Sequence, residues 1–501
     1  MSKIIQETRR VAREVLAQYE PVIGLEVHVQ LKTETKIFCA CSTRFGDPPN
    51  TNVCPVCLGL PGSLPVLNRR ALEMAVRAAL ALQCTVHARS RFARKNYFYP
   101  DLPKGYQISM YELPLASAGR LEIAPAGDGG APKHIGITRL HMEEDAAKAM
   151  HEGFPDSDRN SYIDYNRCGV PLIEIVSEPD LRSSADAYTY LNTLKQVLQY
   201  TAVSDCNMEE GSLRCDANVS VRRRGAEKLG VKTEVKNLNS FRYLQRALEF
   251  EIERHIGALE SGGQIEQETR LWNLAAGRTE PMRSKEFAHD YRYFPEPDLL
   301  PVHVGEAWKA RITETMPELP AARRARFLRD YALTPYDAGV LTDTREHADY
   351  FEILVRTGAE PKLAVSFMER LSHLAEMTAQ SMKKLDQRKG PVSPEAMAEL
   401  LKYVAEGKIT ATTAKKVLET MHKTNRSARE IITTEGLGEI SDAGEIERLC
   451  CEVIAQNPDN VAKYRAGNEG VFKFFVGQVM RASRGQANPQ LVNDILKRLL
   501  G

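Results

Sequence analysis

The stretch Val22-Ile-Gly-Leu-Glu-Val-His-Val-Gln-Leu31 alternates between apolar and polar residues from Leu25 onward. Successive side chains of a β-strand point to opposite faces, so the alternation separates two sets of side chains. The apolar set is Leu25, Val27, Val29 and Leu31, and the polar set is Glu26, His28 and Gln30. A strand with one apolar and one polar face is typical of an antiparallel sheet that covers a core on one side.

Similar patterns continue up to about Pro301. The further predicted strands are 135–142, 172–176, 211–221 and 231–236, and the predicted helices are 69–82, 184–200 and 241–259. We therefore predict an α+β fold with an antiparallel sheet, rather than a doubly wound parallel sheet, for a first domain of residues 1–298.

After Pro301 the strand patterns stop, and residues typical of helix N-termini appear instead. Ser393-Pro394, Asn457-Pro458 and Asn488-Pro489 each combine an N-cap residue with proline at the first helical position. We predict an all-α helical domain at 299–392 and a small helical tail domain at 393–501, joined near Lys389–Pro391. A length of 501 residues suits three domains.

Charge is balanced over the whole chain, with 67 Lys and Arg against 66 Asp and Glu. Any nucleic-acid contact must therefore come from a local basic patch. The last 41 residues contain seven basic and two acidic residues, a net charge of +5. The basic residues are Lys463, Arg465, Lys473, Arg481, Arg484, Lys497 and Arg498. A tRNA-binding surface and an ordinary solvated helix surface both explain this charge.

No transmembrane stretch and no signal peptide are recognisable, so we expect a cytoplasmic protein that does not enter the membrane. The chain also contains no phosphate-binding P-loop.

Four of the ten cysteines are grouped as Cys39-Ala-Cys41 and Cys54-Pro-Val-Cys57. Two close pairs joined by a short loop can supply the four thiolates of a tetrahedral zinc site. Four unrelated buried thiols are the alternative. We favour a structural Zn²⁺, since four thiolates leave no open position for catalysis.

The polar strand faces carry a second group of candidate ligands. Glu26 and His28 share a face of one strand, Arg214 and Asp216 of another, and Glu234 lies on a third. Carboxylates with an occasional imidazole suit Mg²⁺ or Mn²⁺, which usually also hold nucleotide phosphates. A solvated sheet surface is the alternative.

Basic and aromatic residues alternate in Arg94-Lys95-Asn96-Tyr97-Phe98-Tyr99. This pattern suits contacts with phosphates and stacked bases. A twisted hairpin with a ladder of aromatic side chains is the alternative. The acidic runs Glu143-Glu144-Asp145 and Glu209-Glu210 are each weak signals, because acidic turns are common.

Taken together, these segments resemble the B subunit of glutamine-dependent Asp/Glu-tRNA amidotransferases. The similar stretches are VIGLEVHV (22–29), RKNYFYPD (94–101), ITRLHMEED (137–145), PLIEIVSEPD (171–180), MEEGSLRCDAN (208–218), EVKNLNSF (234–241), DYRYFPEPD (290–298) and GQANPQ (485–490). The resemblance covers essentially the whole chain.

The resemblance implies a cradle domain with a sheet like that of glutamine synthetase, followed by a helical domain and a YqeY-like tail that engage tRNA. It implies that ATP phosphorylates the side-chain carboxylate of Asp or Glu mischarged on tRNA-Asn or tRNA-Gln, and that ammonia then displaces phosphate. The implied partners are an amidase A subunit that supplies ammonia from glutamine through a channel, a small C subunit, the tRNA and a non-discriminating aminoacyl-tRNA synthetase.

Transferred onto this sequence, the family's metal site implies Mg²⁺ at four residues, with Glu26 close by. These are His28, Glu144, Asp216 and Glu234. Lys95 and Arg214 are the expected phosphate contacts, and Lys95 is counted with the catalytic residues. Glu174 and Glu209 are weaker candidates.

Two other functions remain open. A self-contained ligase of the glutamine-synthetase type explains the acidic face but not the basic tail. A non-catalytic tRNA-binding subunit explains the tail but leaves the clustered acids without a role.

Overall fold

A computed structural model describes residues 11–125, 131–150, 154–157, 159–282, 291–382, 392–438, 442–483 and 485–501. Asp290, Arg484 and the predicted junction at Lys389–Pro391 lie outside these ranges. The chain divides into two compact units, Met1–Pro320 and Ala321–Gly501. No helix in the described ranges is both long enough and apolar enough to cross a bilayer.

All the described strands belong to the first unit. They are β1 Tyr19–Gln30, β2 Thr85–Val86, β3 Arg89–Asn96, β4 Tyr106–Leu113, β5 Ala116–Ile123, β6 Lys133–Glu144, β7 Lys148–Met150, β8 Tyr162–Asp164, β9 Pro171–Ser177, β10 Leu213–Arg223, β11 Thr233–Lys236, β12 Glu268–Asn273, β13 Arg278–Pro281, β14 Phe294–Pro295 and β15 Val302–His303. Its helices are α1 Arg13–Leu16, α2 Arg69–Ala81, α3 Ser184–Tyr200, α4 Phe241–Glu260 and α5 Glu306–Glu314. Each sequence-predicted strand and helix overlaps an observed element of the same type.

One large mixed sheet organises this unit, with the strand order β13-β12-β11-β10-β1-β9-β6-β4-β3-β14. Its central pairs, β10·β1, β1·β9 and β9·β6, are antiparallel, whereas β11·β12 is parallel. Sheet and helices together confirm the α+β fold. The expectation of a purely antiparallel sheet is corrected at β12, which enters after the long helix α4 and can therefore run parallel to β11.

Alternation along β1 separates the two faces of the sheet as its sequence predicts. Leu25, Val27 and Val29 are buried in a core that includes Leu194 of α3 and Leu244 of α4. The opposite face carries the polar residues of the central strands. One side of the sheet therefore supplies stability, and the other is available for chemistry.

A buried ion cluster joins α4 to the edge strands. Glu251 is fully buried and accepts hydrogen bonds from Arg254 and from the Thr279 hydroxyl of β13. Arg270 Nε of β12 lies 3.2 Å from Glu251 Oε1. His255 Nε2 lies 2.9 Å from the Thr233 hydroxyl of β11. These contacts satisfy a charge that would be costly to bury alone.

The second unit is helical throughout its described part. Its helices are α6 Pro320–Asp330, α7 Pro335–Leu341, α8 Arg345–Arg356, α9 Pro361–Met382, α10 Pro394–Ala405, α11 Ala411–Thr424, α12 Ala428–Glu435, α13 Ala443–Ala455, α14 Pro458–Arg465, α15 Phe472–Ala482 and α16 Pro489–Leu500, with a 3₁₀ turn at Glu469–Val471. Ser393 caps α10 and Asn488 caps α16, as their Ser-Pro and Asn-Pro dipeptides predict.

Two hydrophobic clusters lie within this second unit. One extends from Phe327 to Ile431 and includes residues on both sides of residue 393, whereas the other extends from Ile446 to Leu500. Thr410 of the connection before α11 donates a hydrogen bond of 2.7 Å to the carbonyl of Gly485. Gly438 is the last described residue before the undescribed positions 439–441, which lie between the two clusters.

Replacing Glu251 by Gln should lower the free energy of unfolding by about 3 kcal/mol at neutral pH, because Arg254 and Arg270 lose a buried carboxylate partner. Burial alone would raise the pKa of Glu251, but hydrogen bonds from His255 and Arg254 hold it at about 2. In the unfolded chain it is about 4.3. The stabilisation is therefore complete above about pH 4.3 and is lost as the pH falls toward the folded value.

Urea unfolding at several pH values between neutral and moderately acidic measures this effect. Glu253→Gln is the matched control, since no ion pair of Glu253 occurs in the described ranges and it lies on the same helix. An equal loss of stability in both variants would contradict the proposed role of the Glu251 cluster.

Candidate active site and metal centre

Strand register brings one row of polar side chains together at the centre of the sheet. His28 of β1 lies opposite Arg214 of β10 on one side and opposite Glu174 of β9 on the other. Glu174 in turn lies opposite His141 of β6. Four antiparallel strands in register therefore align an arginine, two histidines and a carboxylate across the polar face.

His28 is the centre of a cluster of carboxylates. Its Nε2 atom lies 3.3 Å from Glu174 Oε2, 3.5 Å from Glu143 Oε1 and 3.8 Å from Glu26 Oε1. Burial disfavours the charged imidazole, but the hydrogen bond with Glu174 and the charge of Glu143 outweigh it and raise the pKa of His28 to about 9. The hydrogen bond from His28 and the charge of His141 hold the pKa of Glu174 at about 2 against the effect of burial. Burial and the nearby Glu174 charge raise the pKa of Glu26.

His141 adds ring nitrogens to this cluster that could serve as ligand atoms for a cation. Both of its ring nitrogens are buried without a hydrogen-bond partner among the described residues. Its Nε2 atom lies 3.8 Å from Glu143 Oε2 and 3.7 Å from Glu174 Oε2. Buried polar atoms normally have partners, and an imidazole with two carboxylates at this spacing can hold a divalent cation.

Asp216 of β10 and Glu234 of β11 also lie on the polar face. Their strands are on the opposite side of β1 from Glu174 and His141. Lys236 Nζ lies 3.4 Å from a carboxylate oxygen of each. Glu234 also accepts a hydrogen bond of 2.8 Å from the Thr269 hydroxyl. Asp216 pairs in register with Glu26. Lys236 therefore connects these two acids, and Glu26 lies between them and His28.

Arg214 is engaged by a buried acid. Its Nη2 atom donates a hydrogen bond of 2.7 Å to Asp145, whose other oxygen accepts one of 2.7 Å from Gln30. Burial would raise the pKa of Asp145, but the charges of Arg214 and Arg167 lower it. Arg214 therefore lies at the edge of the cluster, held by Asp145.

Glu144 is the expected ligand that the structure places off the polar face. Its carboxylate accepts a hydrogen bond from the Lys104 ammonium and another, of 2.8 Å, from the Ile108 amide. It lines a cavity of about 130 Å³ that Cys39 also lines. Consecutive residues of β6 point to opposite faces, so Glu143 and not Glu144 reaches the polar face.

The segment around Lys95 is a strand pair, as the hairpin alternative describes. Arg94 forms two hydrogen bonds, of 2.7 and 2.8 Å, with Glu296 and is therefore held within the fold. Lys95 pairs in register with Gln107 of β4, and its ammonium lies 4.8 Å from the Tyr291 ring centroid. Among the described residues Lys95 has no acidic partner, so its charge remains available to a ligand.

The four grouped cysteines meet as their spacing predicts. The four sulfurs of Cys39, Cys41, Cys54 and Cys57 all lie within 4.8 Å of one another. The Cys54 and Cys57 sulfurs are 3.9 Å apart, near the ~3.8 Å that tetrahedral bonds of ~2.3 Å to zinc require. This cluster can bind a metal ion.

Lys36 adds a positive charge beside the cysteines. It is fully buried, and its ammonium lies 3.7 Å from the Cys57 sulfur and 3.2 Å from the Tyr165 carbonyl. The hydrogen bond from Cys39 and, to a smaller extent, the charge of Lys36 lower the pKa of Cys57 to about 5. A thiolate is the form of cysteine that binds metal.

Sequence reasoning assigned no ligand role to Glu143 or His141 and gave Glu174 only a minor one. The spacing His141-x-Glu143 is a period-two signal that places both on one strand face. Glu174 is a lone acid within the apolar run Leu172–Val176 and is buried. A single acid in such a run is a weak but usable signal, because an unpaired buried carboxylate is costly.

The basic residues of the last 41 positions that the structure describes are exposed on helices. They are Lys463, Arg465, Lys473, Arg481, Lys497 and Arg498. Phe475 and Val479 are buried beneath them in the terminal cluster. Arg498 forms an ion pair of 2.8 Å with Glu447.

Glu209, one of the weaker candidates for the metal site, is an exposed turn residue outside the polar cluster.

Comparison with known proteins gives the family. The family described as GatB/GatE catalytic domain matches residues 21–310, and the one described as GatB domain matches residues 349–500. A relative from Caldanaerobacter subterraneus subsp. tengcongensis is 53% identical over 483 residues, which cover 96% of this chain and 99% of the relative. One from Geotalea daltonii is 52% identical over 486 residues, which cover 97% of this chain and 100% of the relative. Each is named as the B subunit of an aspartyl/glutamyl-tRNA(Asn/Gln) amidotransferase, and the chain belongs to this family of amidotransferase B subunits.

Proposed function

We propose that this chain phosphorylates the side-chain carboxylate of Asp or Glu mischarged on tRNA-Asn or tRNA-Gln and converts it to the amide. The observation that carries the proposal is the polar face, where Glu143 and Glu174 lie beside both His28 and His141, and where the His141 ring nitrogens have no hydrogen-bond partner among the described residues. Family membership supports the amidation part of this reaction, since the relatives are named as subunits of aspartyl/glutamyl-tRNA(Asn/Gln) amidotransferases.

The proposed reaction has two steps. A carboxylate oxygen of the substrate attacks the γ-phosphorus of ATP, the new O–P bond replaces the bond to ADP, and an acyl phosphate forms. Ammonia then attacks the acyl carbon, phosphate leaves with the electrons of the C–O bond, and the leaving phosphate takes up the proton that the nitrogen releases. Phosphoryl transfer depends chiefly on positioning and charge neutralisation, which a buried and mixed-charge site can supply.

We assign Mg²⁺ to the acids of the polar face, where it would neutralise phosphate charge. Glu143, Glu174 and His141 are the proposed inner residues, with Glu26 and His28 beside them, and Asp216 with Glu234 extends the site toward Lys236. Lys95 and Arg214 remain the proposed phosphate contacts. Glu144 is replaced by Glu143 in this assignment because its carboxylate is bound to Lys104.

The remaining assignments extend the same proposal. A partner amidase subunit would hydrolyse glutamine and channel ammonia to this chain, and a small C subunit would complete a cytoplasmic heterotrimer. We propose that residues 1–298 form the glutamine-synthetase-like cradle, 299–392 the helical domain and 393–501 the YqeY-like, tRNA-binding tail. A non-discriminating aminoacyl-tRNA synthetase would deliver the mischarged tRNA.

We also propose a structural Zn²⁺ at the four cysteines. Four thiolates around zinc carry a net negative charge, and the buried ammonium of Lys36 lies where it offsets part of that charge. A closed tetrahedral site of this kind holds loops together rather than reacting.

Glu174→Gln and Asp216→Ala should each lower tRNA-dependent ADP formation by the assembled enzyme by about 100-fold or more, because each removes a charge proposed to support phosphoryl transfer. The affinity for mischarged tRNA should stay unchanged. Glu122→Gln is the control, since Glu122 is an exposed acid on β5. Wild-type ADP formation in both test variants would refute the assignment.

Purified chain should contain about one zinc per molecule by elemental analysis, and Cys39→Ser should lower the melting temperature by about 5 °C or more. The melting temperature should fall because the variant removes one of the four proposed zinc ligands. Cys451→Ser, at an exposed cysteine outside the cluster, should change neither quantity. Zinc-free wild-type protein prepared without chelators would overturn this proposal.

Charge reversal in the tail, Lys473→Glu with Arg481→Glu, should weaken tRNA binding and lower the slope of log affinity against log salt by about 2. Both side chains are exposed on α15. The control is the double variant Arg13→Glu with Arg311→Glu, at exposed positions of the first unit. It makes the same charge change and should have little effect on tRNA binding.

A chain that ends at Gly438, between the two hydrophobic clusters, should lose most tRNA affinity while it keeps ATP binding.

Equal tRNA affinity of the tail variant, the control variant and the wild type at one salt concentration would show that the tail is not the tRNA-binding surface. The positive charge there would then belong to an ordinary solvated helix surface.

A further inference from the structure

Asp145 is a buried acid beside the polar face, and the proposed reaction gives it no role. It lies two residues after Glu143, the spacing that puts side chains on one face of a strand. Asp145 Oδ1 accepts hydrogen bonds of 2.7 Å from Arg214 Nη2 and 2.9 Å from the Ala146 amide. Its Oδ2 atom accepts one of 2.7 Å from the Gln30 side chain. Because protein donors hold both oxygens, the contacts favour a supporting role over metal binding or proton transfer.

The guanidinium of Arg214 is anchored at one nitrogen and keeps another for a ligand. Its Nη2 atom donates to Asp145, whereas its Nε atom is buried and has no hydrogen-bond partner among the described residues. Buried N–H groups normally have a partner, so this one is available to an acceptor that a bound substrate supplies. The planar fork of arginine matches phosphate oxygens, and the match depends on the orientation of its plane.

Strand register places this arginine next to the proposed metal ligands. Arg214 of β10 lies opposite His28 of β1, and His28 Nε2 lies 3.5 Å from Glu143 Oε1. A phosphate that accepts hydrogen bonds from Arg214 would therefore lie beside the acids, where small changes in the orientation of the guanidinium matter most.

The backbone of Asp145 is held on both sides. Its amide donates a hydrogen bond of 2.9 Å to the Val170 carbonyl, and its carbonyl accepts one of 2.9 Å from the Gly169 amide. Arg167 donates hydrogen bonds of 2.9 and 2.8 Å to the carbonyls of the two residues that follow Asp145. The carboxylate is therefore presented from a fixed backbone, as a group that positions another side chain requires.

We propose that Asp145 is a positioning residue that orients the Arg214 guanidinium toward the phosphate transferred in the reaction. The assignment rests on the proposed function, which makes Arg214 a phosphate contact, and it adds the group that fixes the plane of that contact. Gln30 supports the same geometry through the other oxygen of Asp145.

A double-mutant cycle on the assembled enzyme tests whether Asp145 acts through Arg214. The variants are Asp145→Asn, Arg214→Ala and their combination, and the readouts are kcat and KM for tRNA-dependent ADP formation. We expect Asp145→Asn to lower kcat by about 10- to 100-fold, because a misplaced contact at the reacting group costs this much. The KM for mischarged tRNA should stay unchanged. When Arg214 is already alanine, Asp145→Asn should have little further effect.

Asp186→Asn is the matched control. Asp186 is as buried as Asp145 and accepts two hydrogen bonds of 2.8 Å from Lys133, but it lies on α3, which packs on the apolar face of the sheet. This variant should lower the melting temperature, since it weakens a buried ion pair, and should leave kcat unchanged.

Gln30→Met provides a second test if Asp145→Asn does not fold. It removes one donor to Asp145 without changing any charge. We expect kcat about threefold lower in the presence of Arg214, in line with the loss of one supporting hydrogen bond, and no further loss in the Arg214→Ala background.

Two results would overturn the assignment. Wild-type kcat in Asp145→Asn, or in Gln30→Met where the first variant does not fold, would show that Arg214 needs no such support. Equal fold losses with and without the Arg214 side chain would show that Asp145 acts independently of it. Wild-type kcat in Arg214→Ala would instead refute the phosphate contact in the proposed function.

Discussion

Two-residue alternation along the central antiparallel strands is the constraint on which the rest of this structure depends. It buries Leu25, Val27 and Val29 in the core and leaves Glu26 and His28 on the other face. A register shift of one residue would place the acids in the core and the aliphatic side chains in the site. The same packing that stabilises the sheet therefore fixes the positions of the charges.

Concentrating charge on a partly buried surface is costly unless each group has a partner. The carboxylates of Glu143 and Glu174 face His28 and His141, and Asp145 is held by Arg214 and Gln30. The Glu174 pKa of about 2 and the His28 pKa of about 9 reflect this mutual stabilisation. His141 has no hydrogen bond of its own within the described part of the chain, so its ring nitrogens remain available as ligand atoms.

The cysteine cluster and the Glu144–Lys104 pair form a second polar region of the first unit. A cavity of about 130 Å³ is lined by Cys39, Cys57, Lys104 and Glu144. The ammonium groups of Lys36 and Lys104 each face a negative or potentially negative group there. Charge pairing thus organises both polar regions of the first unit. The second unit contains two apolar clusters.

Features that depend on neighbouring residues could be predicted from the amino-acid sequence. Alternation predicted β1 and β10, the helix predicted at 184–200 is observed as Ser184–Tyr200, and the cysteine spacing predicted a cluster that forms. The long motifs identified the family.

Which acids contact one another, in contrast, depends on tertiary packing. Glu143 and Glu144 point to opposite faces because they are consecutive in β6, but only the pairing of β6 with β9 and of β9 with β1 brings Glu143 to His28. Glu174 gives no periodic signal of its own, because its partners come from strands more than 30 residues away in the chain, and strand pairing over such distances is set by the packing of the whole sheet.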